Sequence, residues 1–419
     1  MKTVFLRVLE AENKAAALLE AIREPKSAIG QQRFEMEPGR FARIPRSPFA
    51  YWVTERVSEV FSRLPKMEDG GRTIKVGVQT FNDPRFLRLA WEVCTCNDRS
   101  KWFPFAKGGS HSPYYSDVHL LVNFFDTGRE IAAFKYAHRP REGLQHRAVE
   151  YYVRPGLTWP RRTSGLSMRA MPAGCVFADK GPAVFVENDE IGNLLALACI
   201  TNARVFRFLV SLQLARTELA QSYEVGLIQT TPVPDLTASD QEALAGLARR
   251  SWSLKRRLDT RTETSLAFSL PAVLQVSGAD IAARTAAWSE HIRAVETELV
   301  ALQTQIDERC FVLFGIDEAH DRSSPAPRQI APVPLEHLHD CGAPQRYSDA
   351  ERLRDRDLPG PLRIASTHTE WCRDWRTPRH SPAVSRLRDC SSSAPRQIAS
   401  THSRRCRDWS APRHSRAAR

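Results

Sequence analysis

The stretch Cys175-Val-Phe-Ala-Asp-Lys-Gly-Pro-Ala-Val-Phe-Val186 places two short apolar runs on either side of a Gly-Pro turn. Runs of about four residues that stop at turn residues are typical of short strands. The same texture recurs upstream, in residues 74–78, 118–125 and 149–153. These runs predict an irregular, β-rich domain over residues 67–236.

Helical patterns flank and follow this region. Residues 2–24 carry apolar side chains at helical spacing and stop at Pro25, which predicts an amphipathic helix. Ser47-Pro48 supplies the N-cap and first-turn proline of a second helix. Residues 191–214 return to helical content, whereas residues 223–234 are strand-like.

Two longer helices are predicted next. Ser239-x-x-Glu242 matches a capping box, in which two side chains satisfy the free N–H groups of a helix start. Apolar residues then occupy the a and d positions of a heptad. These residues are Ile281, Trp288, Ile292, Val295, Leu299, Leu302, Ile306 and Leu313. A pattern of roughly four heptads predicts an antiparallel helical hairpin or coiled coil over residues 237–318.

The last part of the chain has a different composition. Residues 321–419 carry a net charge of +8 and contain only 11 Leu, Ile, Val and Phe, below the roughly 20% expected of a chain that buries a core. Ile330, Ile364 and Ile398 mark a 34-residue repeat without an apolar face. We expect a disordered basic tail over residues 319–419, produced by read-through or a shifted reading frame; a zinc-binding His/Cys tract is the alternative.

Length and charge limit the protein class. The 419 residues include 60 Lys+Arg and 48 Asp+Glu, a net charge of +12, and allow roughly two to three domains. No uncharged apolar run approaches the ~18 residues of a membrane span, and the N-terminus lacks the apolar stretch of a secretory signal. Nine scattered cysteines favour reduced thiols in a cytoplasm. Cys94-x-Cys96 is too close for the usual zinc spacing, so no metal site is predicted.

Four segments combine basic, aromatic and glycine residues. They are residues 77–88, 101–109, 151–159 and 169–181. A lysine beside a glycine pair lets the backbone approach a phosphate while the ammonium neutralises it, and neighbouring rings offer stacking faces for bases. The alternative is that the rings belong to a core and the cations to a solvated rim.

Taken in order, these segments resemble the C-terminal half of large adenine-specific DNA methyltransferases, the BREX phage-defence methylases and related fused restriction-modification enzymes. Lys101-Trp-Phe-Pro-Phe-Ala-Lys-Gly-Gly109 is similar to that family's Lys-Trp-x-Pro-Tyr-x-Lys-Gly-Gly, and Gly156-Leu-Thr-Trp159 to its Gly-Leu-Thr-Trp. Gly226-Leu-Ile-Gln-Thr-Thr-Pro232 resembles its closing strand, and Phe314-Gly315-Ile316 the end of its final helix. The resemblance covers roughly residues 1–318 and implies a target-recognition domain that binds double-stranded DNA.

Two motifs of that family do not occur in this sequence. There is no Gly-x-Gly turn to hold S-adenosylmethionine, and no Asn-Pro-Pro-aromatic loop to hold a flipped adenine. The resemblance therefore implies that S-adenosylmethionine serves the full-length family, and that neither the cofactor site nor the catalytic residues lie in this chain. A catalytic methyltransferase domain or another defence-system subunit would then be a partner.

An α+β architecture follows, with residues 1–66 as a helical connector before the recognition domain and the hairpin after it. The expected phosphate contacts are Lys101, Lys107, Arg154 and Lys180. The expected base contacts are Asn82, Arg85, Arg161 and Arg162, since Arg favours guanine and Asn adenine. Two alternatives stay open: a complete methylase or nuclease, with Glu187-Asn-Asp189-Glu190 as its nearest acidic cluster, and a non-functional gene remnant.

Overall fold

A hairpin and a group of aromatic rings form the N-terminal part of the protein. The computed structural model describes residues 2–8, 11–23, 33–93, 101–140, 146–214 and 222–316. Strand β1 (Thr3–Leu6) pairs antiparallel with β2 (Arg33–Met36), and helix α1 (Lys14–Arg23) lies between them in sequence. The prediction of one helix from residue 2 is therefore wrong for its first part. Phe5 stacks on Tyr51 with ring centroids 5.0 Å apart, a contact that favours an extended strand and that helical spacing does not reveal.

The next helix begins later than predicted. Helix α2 (Glu55–Arg63) follows Thr54, whose backbone is extended as an N-cap requires. Ser47 has a φ of 48°, so it lies in the left-handed region and does not cap a helix. Pro48 consequently belongs to a turn that leads Phe49 to the aromatic group.

Two four-stranded sheets make up the centre of the protein. The first has the order β3-β10-β7-β8, and the second β4-β6-β5-β9. Their strands are β3 (Arg72–Lys75), β4 (Leu87–Leu89), β5 (Trp102–Ala106), β6 (Leu120–Asn123), β7 (Gly156–Thr158), β8 (Arg169–Met171), β9 (Val176–Phe177) and β10 (Ala183–Val186). Strands this short and sheets this small fit the irregular β-rich texture of the sequence. The segment at residues 149–151 forms a 3-10 turn and no strand.

Apolar side chains from both sheets form one core. Phe105, Phe177 and Phe185 are almost completely buried in it. The Phe177 ring lies 5.3 Å from that of Phe185 and 5.1 Å from that of Tyr152, so the core joins the second sheet to the first. The short helices α3 (Asp83–Phe86) and α4 (Phe125–His138) flank the second sheet, and Phe86 and Ile131 contribute to the same core.

Helices also cover the first sheet. Helices α5 (Ile191–Asn202) and α6 (Arg204–Leu212) are separated by a 63° bend at Ala203. No single described helix is long and apolar enough to cross a membrane. Taken together, the bent pair α5 and α6 has the length and apolar composition of a membrane span. Helix α7 (Val225–Thr230) replaces the strand expected over residues 223–234. The hydroxyls of Thr230 and Thr231 donate to backbone carbonyls one turn back. In a strand, those carbonyls would accept hydrogen bonds from a neighbouring strand.

Two long helices close the described chain. Helix α8 (Ala238–Asp259) is capped by Thr237, whose Oγ1 accepts from the Asp240 N–H, so the cap lies two residues before the predicted Ser239. Helix α9 (Ile281–Phe314) ends at Gly315, which has a φ of 64°. Arg250 pairs with Glu298 and Arg261 lies over Trp288, so the two helices run antiparallel. Leu254, Val295 and Leu302 are buried between them. The described structure is mixed α and β; residues 319–419 and Cys94-x-Cys96 lie outside the described residues.

Candidate nucleic-acid interface

Three loops meet where β3, β5 and β9 end. We call residues 77–83, 106–112 and 178–182 the loop cluster. Backbone hydrogen bonds join them: the Gly77 N–H donates to Ala178 O at 3.3 Å, and the Asp179 N–H to Val78 O at 3.1 Å. The Ala178 N–H donates to Ala106 O at 3.0 Å. Segments far apart in sequence are thereby fixed at one edge of the protein.

Glycines allow two lysine loops to approach each other. A Cβ atom on Gly181 would lie 2.6 Å from the Gly108 nitrogen and 2.7 Å from Ala106 O. A Cβ atom on Gly108 would lie 2.6 Å from Lys180 O, and the φ of Gly108 is 99°. Only glycine fits such contacts and such a backbone. The Lys-Gly pairs at 107–108 and 180–181 therefore face each other across a backbone contact.

An acidic side chain holds one of these lysines. The Lys107 ammonium and the Thr80 hydroxyl both contact the Asp83 carboxylate. Burial alone would raise the pKa of Asp83, but hydrogen bonds from Lys107 and Thr80 bring that pKa below its usual value. Lys180 is exposed and forms no ion pair with a described carboxylate. Its charge is therefore open to a ligand.

Arg161 and Arg162 lie next to Lys180. The Arg161 N–H donates to Lys180 O at 3.0 Å, and the Arg161 guanidinium pairs with Glu224 at 2.7 Å. Arg162 is exposed and bridges to Ser222 through the backbone. Both arginines thus border the loop cluster, and Arg161 has a carboxylate partner inside the protein.

Asn82 and Arg85 lie on the turn that opens α3. The Asn82 side-chain oxygen caps the helix by accepting from the Arg85 N–H at 3.1 Å. The Arg85 guanidinium is exposed and lies 5.3 Å from the ring centroids of Phe86 and Phe134. Capping occupies the acceptor of Asn82, while its amide N–H group stays available to an incoming base or phosphate.

Lys101 and Arg154 are not part of the loop cluster. Lys101 precedes β5, at the opposite end from Lys107, so about 20 Å of extended chain separates the two residues. Arg154 pairs with Asp189 at 2.7 Å, donates to Val186 O and lies over the Tyr151 ring. These contacts give Arg154 a structural role in the first sheet.

Arg169 is a further cation that sequence reasoning did not single out. This residue of β8 is only 4% exposed, and its guanidinium donates to the carbonyls of Gly108 and Ser110. Burial lowers the pKa of Arg169 to about 10, so the group stays charged at neutral pH. A cavity of about 280 Å³ lies beside it, lined also by Lys107, Gly109 and Thr158. In the sequence, an arginine within a strand gives no indication that the residue lies at a binding site.

The loop cluster rests on the two long helices. The Tyr114 hydroxyl donates to Gln303 Oε1 of α9 at 3.0 Å. The Tyr115 hydroxyl donates to Asp259 Oδ2 at the end of α8, also at 3.0 Å. Burial, reinforced by the charge of Asp259, raises the pKa of Tyr115 above its usual range, so its hydroxyl remains a donor. The helices therefore fix the far end of the loop that begins at Lys107.

The described residues do not fit S-adenosylmethionine or a metal ion. The resemblance implies that this cofactor is held by a Gly-rich turn after a strand, and parallel sheets with such a turn bind dinucleotide cofactors, whereas the described sheet pairs are antiparallel except for β5 with β9. No described group of three His, Cys, Asp or Glu side chains could hold a metal. In the acidic turn at 187–190, Asp189 pairs with Arg154 and Glu190 caps α5.

Two curated proteins are similar to this chain. The adenine-specific methyltransferase BrxX of Escherichia coli O9:H4 (strain HS) is 27% identical over 325 residues, which cover 75% of this chain and 24% of that protein. The adenine-specific methyltransferase PglX of Lacticaseibacillus casei (strain Zhang) is 25% identical over 262 residues, 58% of this chain and 21% of PglX. This chain is similar to adenine-specific methyltransferases. It spans about a quarter of the length of these relatives. No family model matches the chain.

Proposed function

We propose that this chain is a DNA-binding target-recognition part of an adenine-specific methyltransferase of a phage-defence or restriction-modification system. The observation that carries the proposal is the meeting of Lys107 and Lys180 on two glycine loops at one edge of the protein. The similarity to BrxX and PglX supports the methyltransferase relationship. Lysines beside glycines suit a phosphate backbone, because the chain can approach it closely.

The lysines have different tasks in this proposal. Lys180 is exposed and binds a DNA phosphate directly. Lys107 exchanges the Asp83 carboxylate for a phosphate, which transfers one charge-assisted contact from the protein to the DNA. In this proposal phosphate contacts position the duplex, and Arg85 and Arg162, which are exposed, contact base edges. A methyltransferase that flips a base needs the flanking duplex held in this way.

Helices α8 and α9 support the recognition domain in this proposal. Their contacts with Tyr114 and Tyr115 hold the loop that follows Lys107. We assign the methyl-transfer chemistry and the S-adenosylmethionine site to a separate catalytic domain or subunit and not to this chain. A complete enzyme is the second candidate. In the acidic turn at 187–190, however, Asp189 is paired with Arg154 and Glu190 caps the N-terminus of α5.

Binding of the full chain to short duplex DNA, measured by fluorescence anisotropy over a range of salt concentrations, tests the proposal. Lys180→Gln should weaken binding and lower the slope of log K against log salt by about one, since one phosphate contact is lost. Lys14→Gln removes the same charge from an exposed position of α1, outside the loop cluster, and is the matched control. Equal losses for both variants, or no binding at low salt, would contradict the proposal.

A further inference from the structure

A second group of cations surrounds the ring of His111, three residues after Gly108 in the same loop. We call Arg169, Arg207 and Lys255 the inner cation cluster. Arg169 donates to Ser110 O at 3.2 Å, and the Lys255 ammonium lies 3.5 Å from Ser112 Oγ, so these cations contact the residues on either side of His111. The three cations come from β8, α6 and α8, and the charge of each acts on His111.

Arg207 is the least satisfied member of the cluster. Its Nε atom is buried without a hydrogen-bond partner. Neither Arg207 nor the buried Arg169 forms an ion pair with a described carboxylate. A buried N–H group without a hydrogen-bond partner costs free energy, because its desolvation is not offset. Such an unpaired donor is the feature expected where the protein leaves room for an anionic ligand.

His111 contributes a neutral ring to this environment. Burial, followed by the charges of Arg207, Lys255 and Arg169, lowers the pKa of His111 to about 4. The ring is therefore uncharged at neutral pH, and its one N–H donor serves a backbone hydrogen bond to Leu166, so the contacts to an anion come from the cations around it. Gly165 lies against this ring, since a Cβ atom there would be in van der Waals contact with His111 Nε2 at 3.4 Å.

We propose that the inner cation cluster binds a phosphate group, with Arg207 as its main hydrogen-bond donor and Lys255 beside it. A planar guanidinium can donate two parallel hydrogen bonds to a phosphate, and a second cation balances its charge. Arg207, Lys255 and His111 are half-buried, so each of these side chains is in part exposed to solvent. His111 lies four residues after Lys107, at most ~14 Å of extended chain. That length corresponds to roughly four nucleotide steps of a DNA strand.

The phosphate can come from two sources. A phosphodiester of DNA bound at the loop cluster would extend the contact area, and this reading rests on the proposed function. A free phosphate would bind independently of DNA. Both sources use the same donors, so separate experiments on inorganic phosphate and on duplex DNA distinguish them.

Thermal unfolding of the full chain in sodium phosphate and in sodium chloride of equal ionic strength tests the site itself. We expect phosphate to raise the Tm by about 3 °C or more, and Arg207→Gln and Lys255→Gln to abolish this rise. Arg249→Gln removes an exposed charge from the helix that carries Lys255 and should keep the rise. Phosphate stabilisation that survives in Arg207→Gln, or that is absent from the unmodified chain, overturns the proposal.

A second variant separates a ligand-binding role from a structural one. Arg207→Met removes the unpaired charge and should unfold in chloride at the same temperature as the unmodified chain or at a higher one, because residues kept for ligand binding often cost stability. A structural arginine would instead lower the Tm when replaced. A lower Tm in Arg207→Met, together with unchanged phosphate stabilisation in Lys255→Gln, counts against the site.

The DNA experiment identifies the source of the phosphate. If DNA occupies the site, Arg207→Gln lowers the salt slope of duplex binding by about one, and inorganic phosphate competes with the duplex. A normal slope with phosphate-dependent stabilisation assigns the site to free phosphate. If the unmodified chain does not bind DNA, only the proposed function is contradicted. The phosphate-dependent shift in Tm still tests the inner cation cluster.

Discussion

Single residues determine whether the loop cluster can form, and Gly181 is the most constrained of them. Its Cα hydrogens face the Gly108 nitrogen and Ala106 O at distances that exclude a Cβ atom. Any side chain at position 181 has to move backbone, because neither contact is with a flexible side chain. The spacing of Lys107 and Lys180 therefore depends on a residue that contacts no ligand.

Gly181→Ala should separate the two lysine loops. We expect the free energy of unfolding to fall by about 1–3 kcal/mol. DNA binding should also weaken, although the substitution removes no Lys or Arg side chain. Gly246→Ala is the matched control, because Gly246 lies on α8 with no atom within 4 Å of an added Cβ. That control should gain about 0.5–1 kcal/mol from its higher helix propensity. Urea unfolding and DNA anisotropy measure both effects; a neutral Gly181→Ala variant would show that the loops can separate without cost.

Asp117 makes stability depend on pH. Burial raises the pKa of Asp117 to about 6, although the Leu266 N–H donates to its carboxylate at 3.1 Å, and the charge of Asp259 raises it further. The unfolded value is ~3.9, so the folded protein binds this proton more tightly. The contribution of Asp117 to folding therefore becomes less favourable as the pH rises from about 4 to about 6, and the loss is complete above that range.

Asp117→Asn should consequently increase the free energy of unfolding at pH 8 by at most ~3 kcal/mol. The gain should disappear towards pH 4, where Asp117 is protonated in both states. Asp126→Asn, at an exposed position of α4, serves as the control. Urea unfolding at pH 5, 6 and 8 measures the difference. A variant that is less stable than the unmodified chain at pH 8 would mean that the ionised carboxylate stabilises the fold.

The residue types at the site were predictable only in part. Lysine next to glycine pointed to Lys107 and Lys180, because that pair has a direct physical use at a phosphate. The inner cation cluster was not predicted, since Arg169, Arg207 and Lys255 lie on three different elements. Only the packing of β8, α6 and α8 brings them together. Arg154, like Lys107, lies in a segment that combines basic, aromatic and glycine residues, but its side chain pairs with Asp189 inside the protein.

At the scale of elements, Asp307 of α9 joins the long helix to the start of α6. The side chain is 6% exposed and accepts from the Arg204 N–H at 2.8 Å and from Arg204 Nε at 3.1 Å. Gln303 donates to the same carboxylate and accepts from Tyr114 in the loop that follows Lys107. One buried carboxylate thus connects two helices and, through Gln303, the loop cluster.

Asp307→Ala should lower the free energy of unfolding by about 2–4 kcal/mol, because it leaves donors of Arg204 and Gln303 without this acceptor. Glu298→Gln on the same helix changes an exposed ion pair with Arg250 and should have a smaller effect. Chemical unfolding compares the variants. Equal effects would show that solvent replaces the Asp307 contacts.

Sequence patterns predicted long elements better than short ones. The heptad residues of α9 place the helix within one residue of its observed ends, Ile281 and Phe314. The chain at residues 3–6 and 225–230 was predicted wrongly because local spacing did not decide its conformation. In β1, contacts with the rings of Phe41 and Tyr51 favour a strand. In α7, threonine hydroxyls bond within the helix. Tertiary contacts override periodicity most easily in segments of this length.

At the scale of the whole molecule, the proposed function assigns the methyl-transfer chemistry to residues outside the described architecture. That architecture contains mostly antiparallel sheets, a cationic loop cluster and a helical hairpin, and no described cluster of metal ligands. We expect isothermal titration of the full chain with S-adenosylmethionine to give no measurable heat of binding, while duplex DNA still binds. Measurable cofactor affinity, with methylation of adenine by the chain alone, would favour the complete-enzyme alternative. Absence of both activities would favour the gene remnant.

The contact between Lys107 and Asp83 has a kinetic consequence. At a distance, an approaching polyanion meets a dipole at Lys107, because the ammonium and the carboxylate largely cancel. Lys180 forms no contact ion pair, although its charge acts on Asp83 and Asp179, so in the proposed complex it contributes to the long-range attraction. After the encounter, the Lys107 ammonium has to leave Asp83 before it holds the polyanion. In the proposed DNA complex we therefore expect Lys180 to affect mainly the rate of capture and Lys107 mainly the lifetime of the complex, although the two loops touch.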